Sequence, residues 1–381
     1  MRRLGCFFLV FALFFCAPIR AEAAAPEVKA KSACLMDIET GTVLHEQNAD
    51  EPLAPASVTK VMTMLLVMEA LDSGRIKLTD MVTTSEAAAA KGGSQIFLKV
   101  GEQMSVEEML KSVAVSSAND CACALAEHIA GSETAFVEKM NQRATELGMK
   151  NTHFVNCTGL DDSEDAKNHR TTARDIAIMS RELMKNHPDI KKYTTIWMDT
   201  VRGGTFGLSN TNKLVRFYPG ATGLKTGFTS GAGYCLSATA EKEGMHLVAV
   251  VMGSETSNDR FAACKSLLDH GFANYALLNP DPEGPLDVKV ELGNANTVTA
   301  VASESGKLLV EKGQMHSVQV KTELFPSVTA PVSKGQRLGT LTVTCGEQIL
   351  RQIPLVAAEG VPRLTFWQIF GALLKTFLGG K

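Results

Sequence analysis

Apolar positions change their period several times along the chain, and each change predicts a change of element. Residues 33–47 alternate on both sides of Thr40-Gly41, which predicts a strand, a tight turn and a returning strand. After Pro52 and Pro55 the period lengthens: Val61, Met62, Leu65, Leu66 and Met68 recur at helical spacing. A helix is therefore expected to open near Ser57 and stop at Asp72-Ser73-Gly74. Residues 105–147 are helical by the same pattern with a break at Gly131, and residues 171–184 add another helix. From Thr222 the period falls to two, with Gly231-Ala232-Gly233 turning between two strands; a third strand over 245–252 and a closing helix over 259–275 follow. Strands at both ends enclosing a helical middle predict an α/β chain of the α+β type, a sheet with helices packed on it.

The pattern then changes again. Asn279-Pro280-Asp281-Pro282-Glu283-Gly284-Pro285 reads as a linker over 279–285, bounding a first domain over 26–278. Short alternating runs such as Val288-Lys289-Val290-Glu291-Leu292 and Leu341-Thr342-Val343-Thr344 predict a small all-β domain over 286–360. The tail, 362–381, carries Leu364, Phe366, Trp367, Ile369, Phe370, Leu373, Leu374, Phe377 and Leu378, broken by Arg363, Gln368, Lys375 and Thr376. At about 17 residues with a polar side, this amphipathic helix suits the surface of a membrane better than a crossing, for which roughly 20 apolar residues are needed. At the other end, Met1-Arg2-Arg3, an apolar run over 4–17 and Ala21-Glu22-Ala23 predict a secretory signal peptide over 1–23.

Composition narrows the classes. With 381 residues and 45% hydrophobic content the chain can bury a sizeable core in two or three domains. A net charge of -3 and a pI near 6.3 leave no basic excess, which argues against nucleic acid as a partner. Past the leader seven cysteines remain, an odd number that forms no complete disulfide framework, and Cys34, Cys235 and Cys264 lie in apolar segments where free thiols behave as small hydrophobes. The histidines form no ligand pattern; His153 and His169 read as polar loop residues.

The candidate chemistry lies in three motifs: Ser57-Val58-Thr59-Lys60, Ser117-Ala118-Asn119 and Lys225-Thr226-Gly227. Spacing of i, i+3 sets Ser57 beside Lys60 on one helix face. A serine hydroxyl is a weak nucleophile until a base takes its proton, and a lysine can serve once burial or neighbouring cations lower its pKa. Lys225 is a candidate for that second charge, and with Thr226 on a strand it can hold a substrate carboxylate while Gly227 leaves room. Backbone N–H groups near Ser57 can form an oxyanion hole. Ser117 and Asn119 supply a hydroxyl for proton relay and an amide for holding substrate.

On these motifs, together with Pro55-Ala56, Asp120, Gly159-Leu160-Asp161-Asp162, Thr172-Ala173-Arg174-Asp175, Gly223-Leu224 and Phe228-Thr229, the chain resembles the low-molecular-mass penicillin-binding proteins, the D-alanyl-D-alanine carboxypeptidases. The resemblance implies a β-lactamase/transpeptidase-like catalytic domain with an antiparallel sheet and a helical cluster, then a β domain and a terminal amphipathic helix. It implies Ser57 as the acyl-ester nucleophile, Lys60 as its proton acceptor, Ser117 and Asn119 as the second motif, Lys225, Thr226 and Gly227 as the substrate-binding strand, and no metal or cofactor. It implies the peptidoglycan stem pentapeptide as substrate, β-lactams as covalent inhibitors, and an exported enzyme at the outer face of the cytoplasmic membrane. Some members carry His where this chain has Phe228 and Arg where it has Glu255. Two rival readings are weaker. A β-lactamase needs a positioned glutamate for deacylation, and Glu138 has the wrong spacing and reads as a solvated helix residue. A penicillin sensor or wall scaffold without turnover would need spanning helices to signal through.

Overall fold

The computed structural model describes residues 25–282 and 285–377. The predicted leader with its cleavage point at Ala23 lies outside them, as do Glu283-Gly284 of the predicted linker and Leu378 of the tail.

A five-stranded antiparallel sheet organises the first unit, in the order Val43–Gln47, Ser32–Asp37, Met245–Ser254, Gly233–Lys242, Ala221–Thr229. Alternation along these strands feeds two cores. Cys34, Met36, Val248, Val250 and Met252 pack into a helical cluster on one face, whereas Ala33, Leu35, Leu247, Ala249 and Val251 pack on the other against Ala263, Cys264, Leu267 and Leu268 of the helix Ser257–Asn274. Both faces are covered, so the middle strands read as continuous apolar runs. The helix Lys60–Asp72 is buried almost all round, which centres the cluster on the segment that follows Ser57.

The helical stretch over 105–147 is three helices rather than two: Val106–Ser116, Asn119–Ala130 and Glu133–Glu146. The break at Gly131 stands where the pattern set it, but a second break falls at Ser117, whose φ of 64° ends its helix in the left-handed region. Apolar periodicity runs through that break undisturbed, so only a non-glycine residue in a glycine conformation marks it.

The second unit is a six-stranded sheet in the order Val318–Leu324, Arg337–Cys345, Gln348–Ala357, Thr297–Ala302, Asp287–Glu291, Ser327–Thr329, the last pair parallel. The two units are stitched together: directly after the helix Ser257–Asn274, the strand Tyr275–Leu278 pairs with Leu308–Glu311. Val361 still belongs to the β core, and the terminal helix begins at Phe366. The seven cysteines past the leader are all free, six buried and Cys345 half-buried.

Candidate active site

Ser57 lies in the 3-10 turn Ala56–Thr59 that leads directly into the helix beginning at Lys60. Three residues apart, the two side chains meet, with Lys60 Nζ 2.9 Å from Ser57 Oγ. The same nitrogen donates to the carbonyl of Thr158 at 2.8 Å. Burial of the amine lowers its pKa to about 7, against the weaker opposing influence of Cys157 and Asp120. A neutral amine here keeps an N–H for Thr158 and turns its lone pair toward the serine hydroxyl, which is what general-base activation of a serine requires.

The turn carrying Ser57 is held by close approaches. Ala56 has φ +48°, a conformation costly for a residue with a Cβ. Gly159 packs against it so tightly that a Cβ there would fall 1.8 Å from the Ala56 carbonyl oxygen. From the opposite side Gly227 closes in: a Cβ would meet the Pro55 carbonyl oxygen at 2.7 Å and the Ser57 nitrogen at 3.1 Å. The glycine of the third motif therefore brings its strand against the backbone of Ser57.

That strand, Ala221–Thr229, forms the edge of the sheet. Lys225 is buried, and its Nζ donates to the Thr226 carbonyl at 2.8 Å. Burial, then the charges of Lys60 and Arg260, push its pKa well below the ordinary lysine value. A carboxylate brought beside it would offset both effects and favour the charged form. The Thr226 hydroxyl donates to Thr211 at 2.7 Å, and Arg260 Nη1 donates to the Gly227 carbonyl at 2.9 Å.

Ser117 and Asn119 lie where the helix Val106–Ser116 gives way to the helix Asn119–Ala130. The left-handed turn presents Ser117, whose hydroxyl makes no direct hydrogen bond to Ser57 or Lys60 among the described residues. Asn119 Nδ2 donates to the Gly92 carbonyl at 2.7 Å, while its Oδ1 is buried with no hydrogen-bond partner among the described residues, a free acceptor for an amide N–H. Asp120 fixes the loop above: its carboxylate accepts from Leu98 N at 3.0 Å, Ile96 N at 3.1 Å and Cys121 N at 2.9 Å.

Of the seven residues singled out by motif, Ser57, Lys60 and the Lys225–Gly227 strand are brought together. The pattern did not reveal Thr158, Thr211 or Arg260. Thr158 acts through its backbone carbonyl, which leaves no trace in residue type. Arg260 did carry a signal, a cation on the same helical face as Ala263, Cys264 and Leu267. His169 overturns its reading as a polar loop residue: it is buried, with Nε2 2.8 Å from Thr59 Oγ1. The neighbouring bridges His153–Arg170 and Leu53–Thr171 carry it into the interior.

A serine hydroxyl paired with a buried lysine, beside a strand bearing a second lysine, defines a serine acyl-transfer site. Residues 19–256 match the family described as D-alanyl-D-alanine carboxypeptidase, and residues 281–363 match the C-terminal domain of penicillin-binding protein 5. The D-alanyl-D-alanine carboxypeptidase DacF of Bacillus subtilis (strain 168) is 45% identical over 344 residues, spanning 89% of this chain and 87% of that relative. Penicillin binding protein 5 from Haemophilus influenzae superposes with a TM-score of 0.76 at 34% identity, covering 89% of this chain and 99% of that one. Penicillin-Binding Protein D2 from Listeria monocytogenes, solved in an ampicillin-bound form, superposes with a TM-score of 0.59 at 32% identity over 64% of this chain and 98% of its own. The chain belongs to the D-alanyl-D-alanine carboxypeptidase family. It is a serine hydrolase of that activity.

Proposed function

We propose that Ser57 is the nucleophile that removes the terminal D-alanine from peptidoglycan stem pentapeptides. Ser57 Oγ attacks the carbonyl of the penultimate D-alanine as its proton passes to Lys60. The terminal D-alanine leaves with a proton, an ester remains on Ser57, and water cleaves that ester. Lys225 and Thr226 hold the terminal carboxylate, Gly227 sets the strand close enough to do so, and Asn119 grips the peptide through its free amide oxygen. Ser117 relays protons to the leaving amine. The observation that carries this reading is the 2.9 Å contact between Ser57 and a fully buried Lys60.

A β-lactam presents a comparable amide carbonyl and carboxylate, with the carbonyl strained in a four-membered ring, and the Listeria relative solved in an ampicillin-bound form supports β-lactam binding by this chain. We further propose that residues 1–23 direct export, that 26–278 and 286–360 are separate domains joined by 279–285, and that the terminal helix lies on the outer surface of the membrane. Phe366, Trp367, Phe370, Leu373 and Leu374 are all exposed on that helix, which supports an apolar partner for it. No helix among the described residues is long and apolar enough to cross a membrane.

Intact-mass spectrometry after penicillin treatment tests the assignment. One adduct is expected on the wild type and none on Ser57→Ala, with D-alanine released from a D-alanyl-D-alanine pentapeptide only by the wild type. An undiminished adduct on Ser57→Ala sinks it.

A further inference from the structure

The strain at Ala56 needs something to hold it, and the hydrogen-bond chain leading away from it ends at a residue no motif includes. Thr59 Oγ1 lies 2.8 Å from the Ala56 carbonyl oxygen and 2.8 Å from His169 Nε2. On its other side, His169 Nδ1 lies 3.1 Å from the backbone nitrogen of Val155. The direction of every proton follows. A backbone N–H only donates, so Nδ1 accepts and the neutral ring carries its proton on Nε2. Nε2–H then donates to Thr59 Oγ1, and the threonine's own proton goes to the Ala56 carbonyl, which can only accept. The chain reads Val155 N–H to His169, His169 to Thr59, Thr59 to Ala56. Its last acceptor is the carbonyl of the strained residue immediately before Ser57.

The ring is fixed as firmly as the chain. His169 is 3% exposed, and Phe154, itself fully buried, meets it edge to face at 5.7 Å between ring centres. Burial lowers its pKa to about 4, with His153 and Arg170 acting in the same direction, so the neutral ring that the hydrogen bonds demand is the form present at neutral pH.

We propose that His169, through Thr59, is a positioning residue for acylation that locks the Ala56–Ser57 turn in the geometry from which Ser57 attacks. Among the described residues it hydrogen-bonds to neither Ser57 nor Lys60. Its contribution is orientation, and loss of orientation of about 1 Å at a reacting atom costs on the order of 100-fold in rate. The inference rests on Ser57 being the nucleophile.

The test measures the second-order rate of acylation by a fluorescent penicillin, with the mature full-length protein, for His169→Ala, His169→Gln, Thr59→Val, the double variant His169→Ala/Thr59→Val and Ser57→Ala. His169→Ala and Thr59→Val are each expected to acylate about 10- to 100-fold more slowly. The double variant should be no slower than the worse single one, because both break the same chain. A glutamine amide also offers an acceptor oxygen and N–H donors, so His169→Gln should recover most of the rate. Wild-type rates in folded His169→Ala, or losses that multiply in the double variant, overturn the proposal, since a purely structural histidine changes stability without slowing the folded enzyme. Should His169→Ala fail to fold, a wild-type rate in Thr59→Val overturns it instead. Labelling of Ser57→Ala at the normal rate brings down the nucleophile assignment, an outcome distinct from either.

Discussion

The two units of this molecule bury different things. In the β unit the core is aliphatic: Val288, Val298, Leu338, Leu341, Ile353 and Leu355 fill it, and among the described residues no polar or charged side chain beyond Arg260 is fully buried. The catalytic unit buries Lys60, Lys225, Asp120, Arg260 and His169 within a fold whose apolar packing is otherwise just as complete. Burying a charge or an imidazole is costly unless it is partnered, so each such group is a local departure from the rules that make a chain stable. Departures cluster where chemistry is done. The β unit, which follows the rules, buries no such group among the described residues.

The comparison breaks first at Lys60. If its burial serves proton transfer, Lys60→Arg should cut penicillin acylation by about 10⁴-fold or more, because a guanidinium cannot release its proton to act as base. Near-normal acylation in a folded Lys60→Arg protein would show that this buried lysine is structural and that the contrast between the units carries no functional meaning.

Glycines give the next test. Gly159, at φ +80°, leaves no space for a Cβ beside the Ala56 carbonyl, whereas Gly335 in the β unit, at φ +83°, has nothing within 4 Å of that position. Both alanine variants meet the same backbone penalty of about 1 to 2 kcal/mol. Only Gly159→Ala adds a clash, so it should lose about 3 kcal/mol or more in chemical unfolding and slow acylation as well. Gly335→Ala should leave the acylation rate unchanged. Equal losses in the two would mean that close packing around Ser57 is no tighter than an open turn.

What could be read without coordinates follows the same division. Alternation in 286–358 named the sheet of the β unit, because apolar faces follow the pleat, whereas the strands from Ala221 onward were marked by their apolar runs and the turn Gly231-Ala232-Gly233. The motifs named Ser57, Lys60, Asn119 and Lys225 because their chemistry resides in side-chain type and spacing. Ser117 was named too, but not its left-handed turn, since strain has no compositional mark. His169 reads as a polar loop residue because exposure of a lone histidine depends on bridges such as Leu53–Thr171, which join segments distant in sequence. Thr158 stayed hidden because its carbonyl would serve equally in any residue.

The pH dependence sharpens the contrast further. With Lys60 lowered to about 7, the acylation rate should climb roughly tenfold per unit at lower pH and level off above it. Stability follows by linkage. The ordinary value of 10.5 applies once the chain unfolds, so between about 7 and 10.5 the unfolded state holds the extra proton and native stability rises with pH. Below that window both states are protonated and the dependence on this group vanishes. A rate profile flat from pH 5.5 to 8.5 would remove Lys60 as the base.

The smallest effect on chemistry is expected at the tail, where the β unit also ends. Residues 361–364 belong to the fold: Val361 N donates to the Val332 carbonyl at 2.9 Å and Leu364 N to the Leu292 carbonyl at 2.8 Å. Thr365 and Gln368 then cap the helix Phe366–Phe377 reciprocally, Thr365 N donating to Gln368 Oε1 at 2.8 Å and Gln368 N to Thr365 Oγ1 at 3.4 Å. Beyond that cap the apolar side chains turn away from the protein, Phe366 at 70% and Trp367 at 76% exposure. A chain ended after Thr365 therefore keeps every backbone contact of the β unit and should unfold and acylate like the longer protein. It loses only a surface whose large apolar side chains each gain about 1.5 to 3 kcal/mol when fully removed from water. The full mature chain is expected to sediment with anionic liposomes and the shortened one to remain in solution. Equal sedimentation would place membrane affinity elsewhere on the molecule. A drop in the melting temperature of the shortened chain would show instead that the helix packs on its own protein, and the tail would then join the β unit as a structural element.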